Sequence, residues 1–299
     1  MALKNFSEII EKVKAERKIV AVAAAGDPHT LEAALEAEKS GLARLILAGD
    51  REKIESIAGK GGGAILEIID EPDPALASRK AAALIRDGKA DFIMKGNVDT
   101  SVFMSAILDK SAGISTGSLM SHFSLFEIPG YHKLLAIVDV GVIPYPTLAQ
   151  KKVIIENTVN ALNILGCACP KIGVLACIEK VNPKMPETTE AAELARMNAS
   201  GEIKNCVING PISYDCAMSA EIAGIKGYKG EVAGDVDVLV APNIHAGNIM
   251  AKMLICTCGA KMAGIVVGAA CPVILASRGS SSEEKLLSIA LSAAVAGGK

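Results

Sequence analysis

The sequence predicts an α/β protein, and three observations carry that prediction. Short runs rich in Val, Ile and Leu alternate with longer Ala/Leu/Glu-rich segments along the chain, the pattern of strands joined by helices. The short runs are nearly unbroken apolar stretches rather than strict alternations, as expected of parallel strands covered on both faces. Several of the longer segments end in Gly, the common residue just past a helix C-terminus.

The elements follow in order. In "MALKNFSEIIEKVKAERK", Phe6, Ile9, Ile10 and Val13 fall at helical spacing, so an amphipathic helix opens the chain. Strands are expected in "KIVAVAAAG" (18–26), "ARLILAG" (43–49), "AILEIID" (64–70) and "DFIMKG" (91–96). Further strands are expected in "KLLAIVDVG" (133–141), "KIGVLACI" (171–178), "NCVINGP" (205–211), "DVLVAPN" (237–243) and the long run 263–277. Between them, "HTLEAALEAEKSG", "DPALASRKAAALIRDGKA", "PTLAQKKVIIENTVNALNILG", "ETTEAAELARMNASG" and "IHAGNIMAKMLICTCG" read as helices. Asp27-Pro28 supplies a cap followed by Pro at the first helical position. Asp99 or Thr100 caps a further helix over "SVFMSAILDK". Residues 111–131 are the least regular stretch, a domain crossover or a long functional loop.

Composition removes several functions. A chain of 299 residues has ample material for one large domain or two. Its 51% apolar content speaks against disorder. A net charge of −2 offers no general attraction to nucleic acid or to an anionic membrane. Five Phe, four Tyr and no Trp leave little surface for stacking bases. The charged N-terminus is unlike a signal peptide, and no apolar run is long enough to span a bilayer, so a cytoplasmic protein is expected. The cysteines include two C-x-C pairs, Cys167/Cys169 and Cys256/Cys258, which lack structural-zinc spacing. They read as small buried hydrophobes in a reducing compartment, and no metal site is expected. His29 reads as an exposed helix start and His132 as surface, whereas His122 and His245 lie where they can reach a site.

Ligands of open parallel sheets sit beyond the carboxyl ends of the strands, and there the polar residues gather. Strand 91–96 ends in "MKGNVDTS", which offers Lys95, Asn97, Thr100 and Ser101. A Lys beside a helix N-terminus suits an anion, but this segment by itself reads more simply as a capped helix with a surface Lys. The loop lacks the Walker A order, and "GKGGG" (59–63) fails the same test. No G-x-G-x-x-G follows a strand, so a nicotinamide reading has no support. Strand 205–211 leads to Asp215, and strand 237–243 to Asn243 and Asn248. The last apolar run ends in "ASRGSSSEEK" (276–285). Arg278 presents a planar fork of donors that matches phosphate, and Ser277 adds a hydroxyl. In "SSEE", Ser281 and Glu284 fit a capping box. Glu284 therefore has two readings, a helix cap or a catalytic base.

Taken together and in order, "MKGNVDTSVFMSAILDK", "SHFSLFEIPGY", "EKVNPKMPETTEAAELARMN", "GPISYDCA", "VAGDVDVLVAPNIHAGN" and "AGIVVGAACPVILASRGSSSEEKLLSIAL" resemble the phosphate acetyl/butyryl transferase family, closest to its phosphate butyryltransferase branch. The resemblance runs from about residue 17 to the C-terminus. It implies two α/β/α domains with mostly parallel sheets, isocitrate/isopropylmalate dehydrogenase-like, with an active cleft between them. The first domain would join 1–115 with 270–299, and the second would be 116–269. The implied reaction is acyl-CoA plus phosphate giving acyl phosphate plus CoA, with a butyryl or acetyl group. No cofactor is implied beyond CoA and inorganic phosphate as substrates, and a homodimer or higher homo-oligomer is expected. By position, Ser277 and Arg278 match the family's Ser-Arg pair, and Glu284 stands where classical phosphotransacetylases carry an Asp proposed as base for the CoA thiol. Lys95, Asn97, Thr100, Ser101, His122, Asp215, Asn243 and Asn248 are the expected substrate-binding residues. Residues 115–118 are Ser-Thr-Gly-Ser where the butyryl branch has Arg, which leaves Lys95 or another residue to share the phosphate charge. A noncatalytic CoA- or phosphate-binding protein and an oxidoreductase on the same fold are the alternatives.

Overall fold

The structure, a computed structural model, describes residues 3–59, 65–109, 113–276 and 279–296. The chain divides into two compact units, one of Phe6–Ser118 with Ala263–Lys299 and one of Met1–Asn5 with Leu119–Met262.

In the unit that joins the two ends of the chain, α1 (Phe6–Lys14) buries Phe6, Ile9 and Val13, the stripe its spacing predicts. Strands β1 (Ile19–Ala23), β2 (Arg44–Gly49), β3 (Ile65–Asp70) and β4 (Phe92–Lys95) alternate with α2 (Pro28–Lys39), α3 (Arg51–Ala58), α4 (Pro74–Arg86) and α5 (Thr100–Leu108). The turns into α2, α3 and α4 close alike. Asp27, Asp50 and Asp73 each accept a hydrogen bond from an amide in the first helical turn, which satisfies a donor the helix cannot. Strands β10 (Lys261–Val267) and β11 (Val273–Ile274) and helix α11 (Ser282–Ala296) complete the unit.

The sheet order is β3-β2-β1-β4-β11-β10. Every pairing is parallel except that of β10 with β11. The chain runs outward from β1 through β2 to β3, then returns to the other side of β1 as β4. That reversal makes a switch point between β1 and β4, where crossover loops part and leave a crevice. Ala23 pairs with both Ala48 and Lys95, and Ile274 with Met94, so the ends of β1, β4 and β11 lie side by side. Helices α4 and α5 pack together, while α1, α2, α3 and α11 form a separate layer.

Two expectations are corrected here. The run 263–277 is a pair of antiparallel strands, not one. Gly268 turns the chain at φ 98°, and Pro272 cannot donate to a ladder. Residues 111–131 hold a regular strand, β5 (Ser121–Glu127). Its Ser and His disguise an element whose Ser121 and Ser124 are fully buried. Helix α3 was also not expected, because it is charged and buries only Ile54.

The central unit sets β5, β6 (Leu135–Val138), β9 (Val238–Val240), β7 (Lys171–Leu175) and β8 (Val207–Ile212) side by side in that order. Only β5 runs antiparallel. Helices α6 (Leu148–Leu165) and α7 (Pro186–Ala199) make one layer. The other holds α8 (Tyr214–Met218), α9 (Ala220–Ile225) and α10 (Ile244–Cys258), with Cys216, Ala223, Ala251 and Leu254 in a core with Phe126, Ile137 and Leu239. Helix α6 starts on a complete capping box, Thr147 with Gln150, and stops at Gly166 with φ 101°, where a side chain would be strained. Lys133, 5% exposed, is held between Asp235 at 2.8 Å and Asp237 at 2.7 Å, as a buried ammonium requires.

Candidate active site

The crevice at the β1/β4 switch point is made by close backbone approach. Gly96 and Asn97 donate their amides to Ala23 O at 2.8 Å and Ala24 O at 2.9 Å. A Cβ on Gly96 would stand 2.5 Å from Ala24 O and 2.6 Å from Ala23 O, so this contact admits only glycine. The result is a recess of about 240 Å³ with polar and apolar groups in its wall. Asp27, His29 and Thr30 line it from the start of α2, Lys95 and Asn97 from the end of β4, and Ala276 and Lys285 from the far side of β11. Lys95 is 9% exposed, and its Nζ donates to Val98 O at 2.9 Å and Gly96 O at 3.2 Å.

The expected site residues divide as follows. Lys95 and Asn97 share the recess, and Asn97 also borders a neighbouring hollow with Asp73 and Asp99. Thr100 and Ser101 are exposed on the first turn of α5. Ser101 lines a separate hollow with Arg79 and Ala75. Ser277 and Arg278 lie outside the described residues. Their neighbour Ala276 is part of the recess wall. Glu284, half-buried, forms only half of the expected capping box. Its amide donates to Ser281 Oγ at 3.1 Å, but its carboxylate accepts from the Ser280 hydroxyl at 2.6 Å. Its side chain is therefore not spent on the helix backbone. Reading residue by residue did not single out Asp27, Thr30 and Lys285, which line the recess, and took His29 for no more than an exposed helix start.

In the central unit, the other candidates also stand near carboxyl strand ends, in separate roles. Asp139, 3% exposed, folds the loop after β6 by accepting from Gly141 N and Val142 N, both at 2.8 Å, and from His122 N at 2.8 Å. The His122 Nδ1 and Ser124 Oγ are 2.7 Å apart. Asn248 donates to Val140 O at 3.1 Å, which ties α10 to the same loop. Asn243 is the N-cap of α10 and accepts from Ala246 N at 3.1 Å. His245 joins Tyr145 at 2.9 Å on the surface, and His132 is exposed beside Asp235.

Asp215 sits in a compact charge cluster. Lys226 Nζ lies 2.9 Å from both Glu179 and Asp215, and the Ser213 hydroxyl bridges the two carboxylates. Glu179, Asp215 and buried Cys216 each bring a ligand atom within 4.8 Å of one another. Lys226 pairs with both carboxylates and offsets one of their two charges, so the arrangement is that of an ion-pair cluster. The Ser213 hydrogen bond, then Lys226, holds the Asp215 carboxyl down to about 2 from an ordinary 3.8. A depressed folded value contributes stability above the unfolded value and loses it as pH falls through the folded one. The melting-temperature gap between the wild type and Asp215→Asn should therefore be full at neutral pH and close between pH 3.8 and about 2. The gap should be small, because Asp215 is 43% exposed and screened by water. A gap unchanged through that window in a thermal melt series would contradict the ion pair.

The cysteine expectation holds for half of the set. Cys167, Cys206, Cys216 and Cys271 are buried, but Cys169, Cys177, Cys256 and Cys258 are exposed. The exposed members of the C-x-C pairs fall on turns and helix ends, which apolar neighbours in sequence do not reveal. Among the described residues, no helix is long and apolar enough to cross a membrane.

The doubly wound sheet sets a lysine and the starts of two helices around one recess at its switch point, the usual ligand position in an open α/β sheet. Comparison with known proteins narrows the class. The family described as "Phosphate acetyl/butaryl transferase" matches residues 59–293. A phosphate butyryltransferase of Clostridium acetobutylicum is 46% identical over 300 residues, 99% of this chain and 100% of that one. A phosphate acetyltransferase of Thermotoga maritima is 40% identical, with 97% of this chain and 99% of that one covered. The crystal structure of a branched-chain phosphotransacylase from Enterococcus faecalis superposes with a TM-score of 0.83 at 28% identity, covering 93% of this chain and 99% of that one. The chain belongs to the phosphate acetyl/butyryl transferase family, and it is a phosphate acyltransferase.

Proposed function

We propose that this enzyme moves a short acyl group, butyryl or acetyl, reversibly between CoA and inorganic phosphate. The observation that carries the reading is the recess at the switch point, with buried Lys95 in its wall and Ala276 followed in the sequence by Ser277-Arg278. In one direction a phosphate oxygen attacks the thioester carbonyl, the C–S bond breaks, and CoA leaves with a proton on sulfur. In the other, the CoA thiol loses that proton, its sulfur attacks the acyl phosphate, and phosphate departs. Negative charge builds on the carbonyl oxygen in both. Arg278 and Ser277 are assigned to that charge and to the phosphate, where fixed donors act more strongly than water does. Holding both substrates supplies much of the remaining advantage.

Glu284 is assigned as the base for the thiol. Its half-buried carboxylate is free of the helix backbone and takes a hydroxyl hydrogen bond from Ser280, a setting that orients it. General-base assistance is commonly worth about 10²–10⁴ in rate. Glu284→Gln should lower kcat within that range and remove the acidic limb of the pH–rate profile in the acyl phosphate to acyl-CoA direction. An unchanged profile would leave Glu284 a helix-start residue only.

The function itself is tested by thiol release. Butyryl-CoA or acetyl-CoA with the enzyme should yield free thiol only when phosphate is present. No phosphate-dependent release with acetyl-, butyryl- or branched acyl-CoA would overturn the reading. CoA and phosphate binding without any turnover would point instead to a binding protein.

A further inference from the structure

Four lysines are almost completely buried among the described residues: Lys95, Lys133, Lys151 and Lys285. A buried ammonium is unfavourable unless it is paired, and three of the four are satisfied within the protein. Lys133 has Asp235 and Asp237, and Lys151 has Glu190. Lys95 has the carbonyls of Gly96 and Val98. Lys285 is 4% exposed, and among the described residues it has no hydrogen-bond or ion-pair partner. It lines the recess that holds Lys95.

Its position sharpens the point. Lys285 is the fourth residue of α11, inside the first turn, where the helix dipole is positive and a cation is disfavoured. The start of α2, at Thr30, faces the same recess. Against the two lysines stands one carboxylate, Asp27. One of its oxygens caps α2 through Thr30 N at 2.9 Å, and the other is enclosed without a partner. His29 and Asn97 add polar groups to the wall. The lining side chains therefore carry two formal positive charges against one negative around a partly open recess. An oxyanion with several acceptor oxygens offsets that difference, since it can take hydrogen bonds from both lysines at once.

We propose that Lys285, together with Lys95, holds a phosphoryl group in this recess, that of inorganic phosphate or one carried by CoA. The inference rests on the acyltransferase reading above and adds a binding residue to it. It follows from burial and lack of a partner at a helix start, and not from any role read for Lys285 in the sequence.

The test is steady-state kinetics on the wild type, Lys285→Met and Lys285→Arg, varying phosphate and butyryl-CoA separately. Losing one charged hydrogen bond should raise one KM by roughly ten- to a hundredfold in Lys285→Met. A rise for phosphate alone assigns the recess to inorganic phosphate. A rise for butyryl-CoA alone assigns it to a phosphate of CoA. Lys285→Arg keeps the charge and should show a smaller rise for the same substrate. Should the Met variant fail to fold, the Arg variant decides on the same readout. Both KM values within about twofold of wild type in a folded variant would overturn the proposal, as would a fall in kcat alone. A wild type without phosphate-dependent thiol release would instead defeat the function reading, so the two failures are distinguishable.

Discussion

Arg278→Ala is expected to lower phosphate-dependent turnover by about 10²–10³-fold, the usual result of removing one donor that meets developing charge. The protein should still fold and melt within a few degrees of wild type, because the change is aimed at the reaction. Arg278→Lys should recover only part of the loss, since an ammonium is a point charge and cannot reproduce the planar fork. The prediction rests on the family's Ser-Arg pair, matched here at Ser277 and Arg278, which follow in the sequence on Ala276, a residue that lines the recess. Near wild-type turnover of Arg278→Ala would remove this side chain from the mechanism. Pairing it with Lys285→Met gives a further check. Two cations on one phosphate should show non-additive losses, whereas independent sites would add.

Gly96→Ala is expected to impair both stability and activity. The new methyl would have to displace the backbone carbonyls of Ala23 and Ala24, which stand 2.6 and 2.5 Å from its position. Backbone at a sheet end yields poorly, and overpacking of this kind costs roughly 1–3 kcal/mol. At about 2–4 °C per kcal/mol, the melting temperature should fall by several degrees. Lys95 and Asn97 flank the shifted residue, so the recess moves with it. Misplacement by about 1 Å can cost about 10² in rate. Gly224→Ala is the control. It lies in exposed α9 with open space around its added methyl, and should be neutral or slightly stabilising. A Gly96→Ala enzyme with wild-type melting and wild-type turnover would show that the two turns need not touch.

Much of the fold could be read because its signals are local. The stripe on α1, the Asp27-Pro28 start of α2 and the runs that became β1, β2 and β4 all announce themselves within a few residues. The failures are also physical. Strand β5 carries His and Ser where a strand signal wants apolar residues, and its two serines are buried only because other segments cover them. The run 263–277 is apolar throughout because β10 and β11 are both interior, so the reversal between them leaves little trace in hydropathy. Lys95 and Asn97 were legible as a polar strand ending. Lys285 was not, because a lysine within "SSEEKLLSIAL" reads as a solvent-facing helical residue.

The sequence by itself determined that strands and helices alternate, that Asp and Pro start the helices, and that polar side chains follow the strands. These follow from backbone preference and from periodicity, which act over a few positions. Only the tertiary structure decided that β4 returns beside β1 and that α11 lays Lys285 into the crevice so formed. Those outcomes depend on packing between segments roughly seventy residues apart in the first case and nearly two hundred in the second. Burial of a charge is a property of everything around it, and no local pattern encodes that.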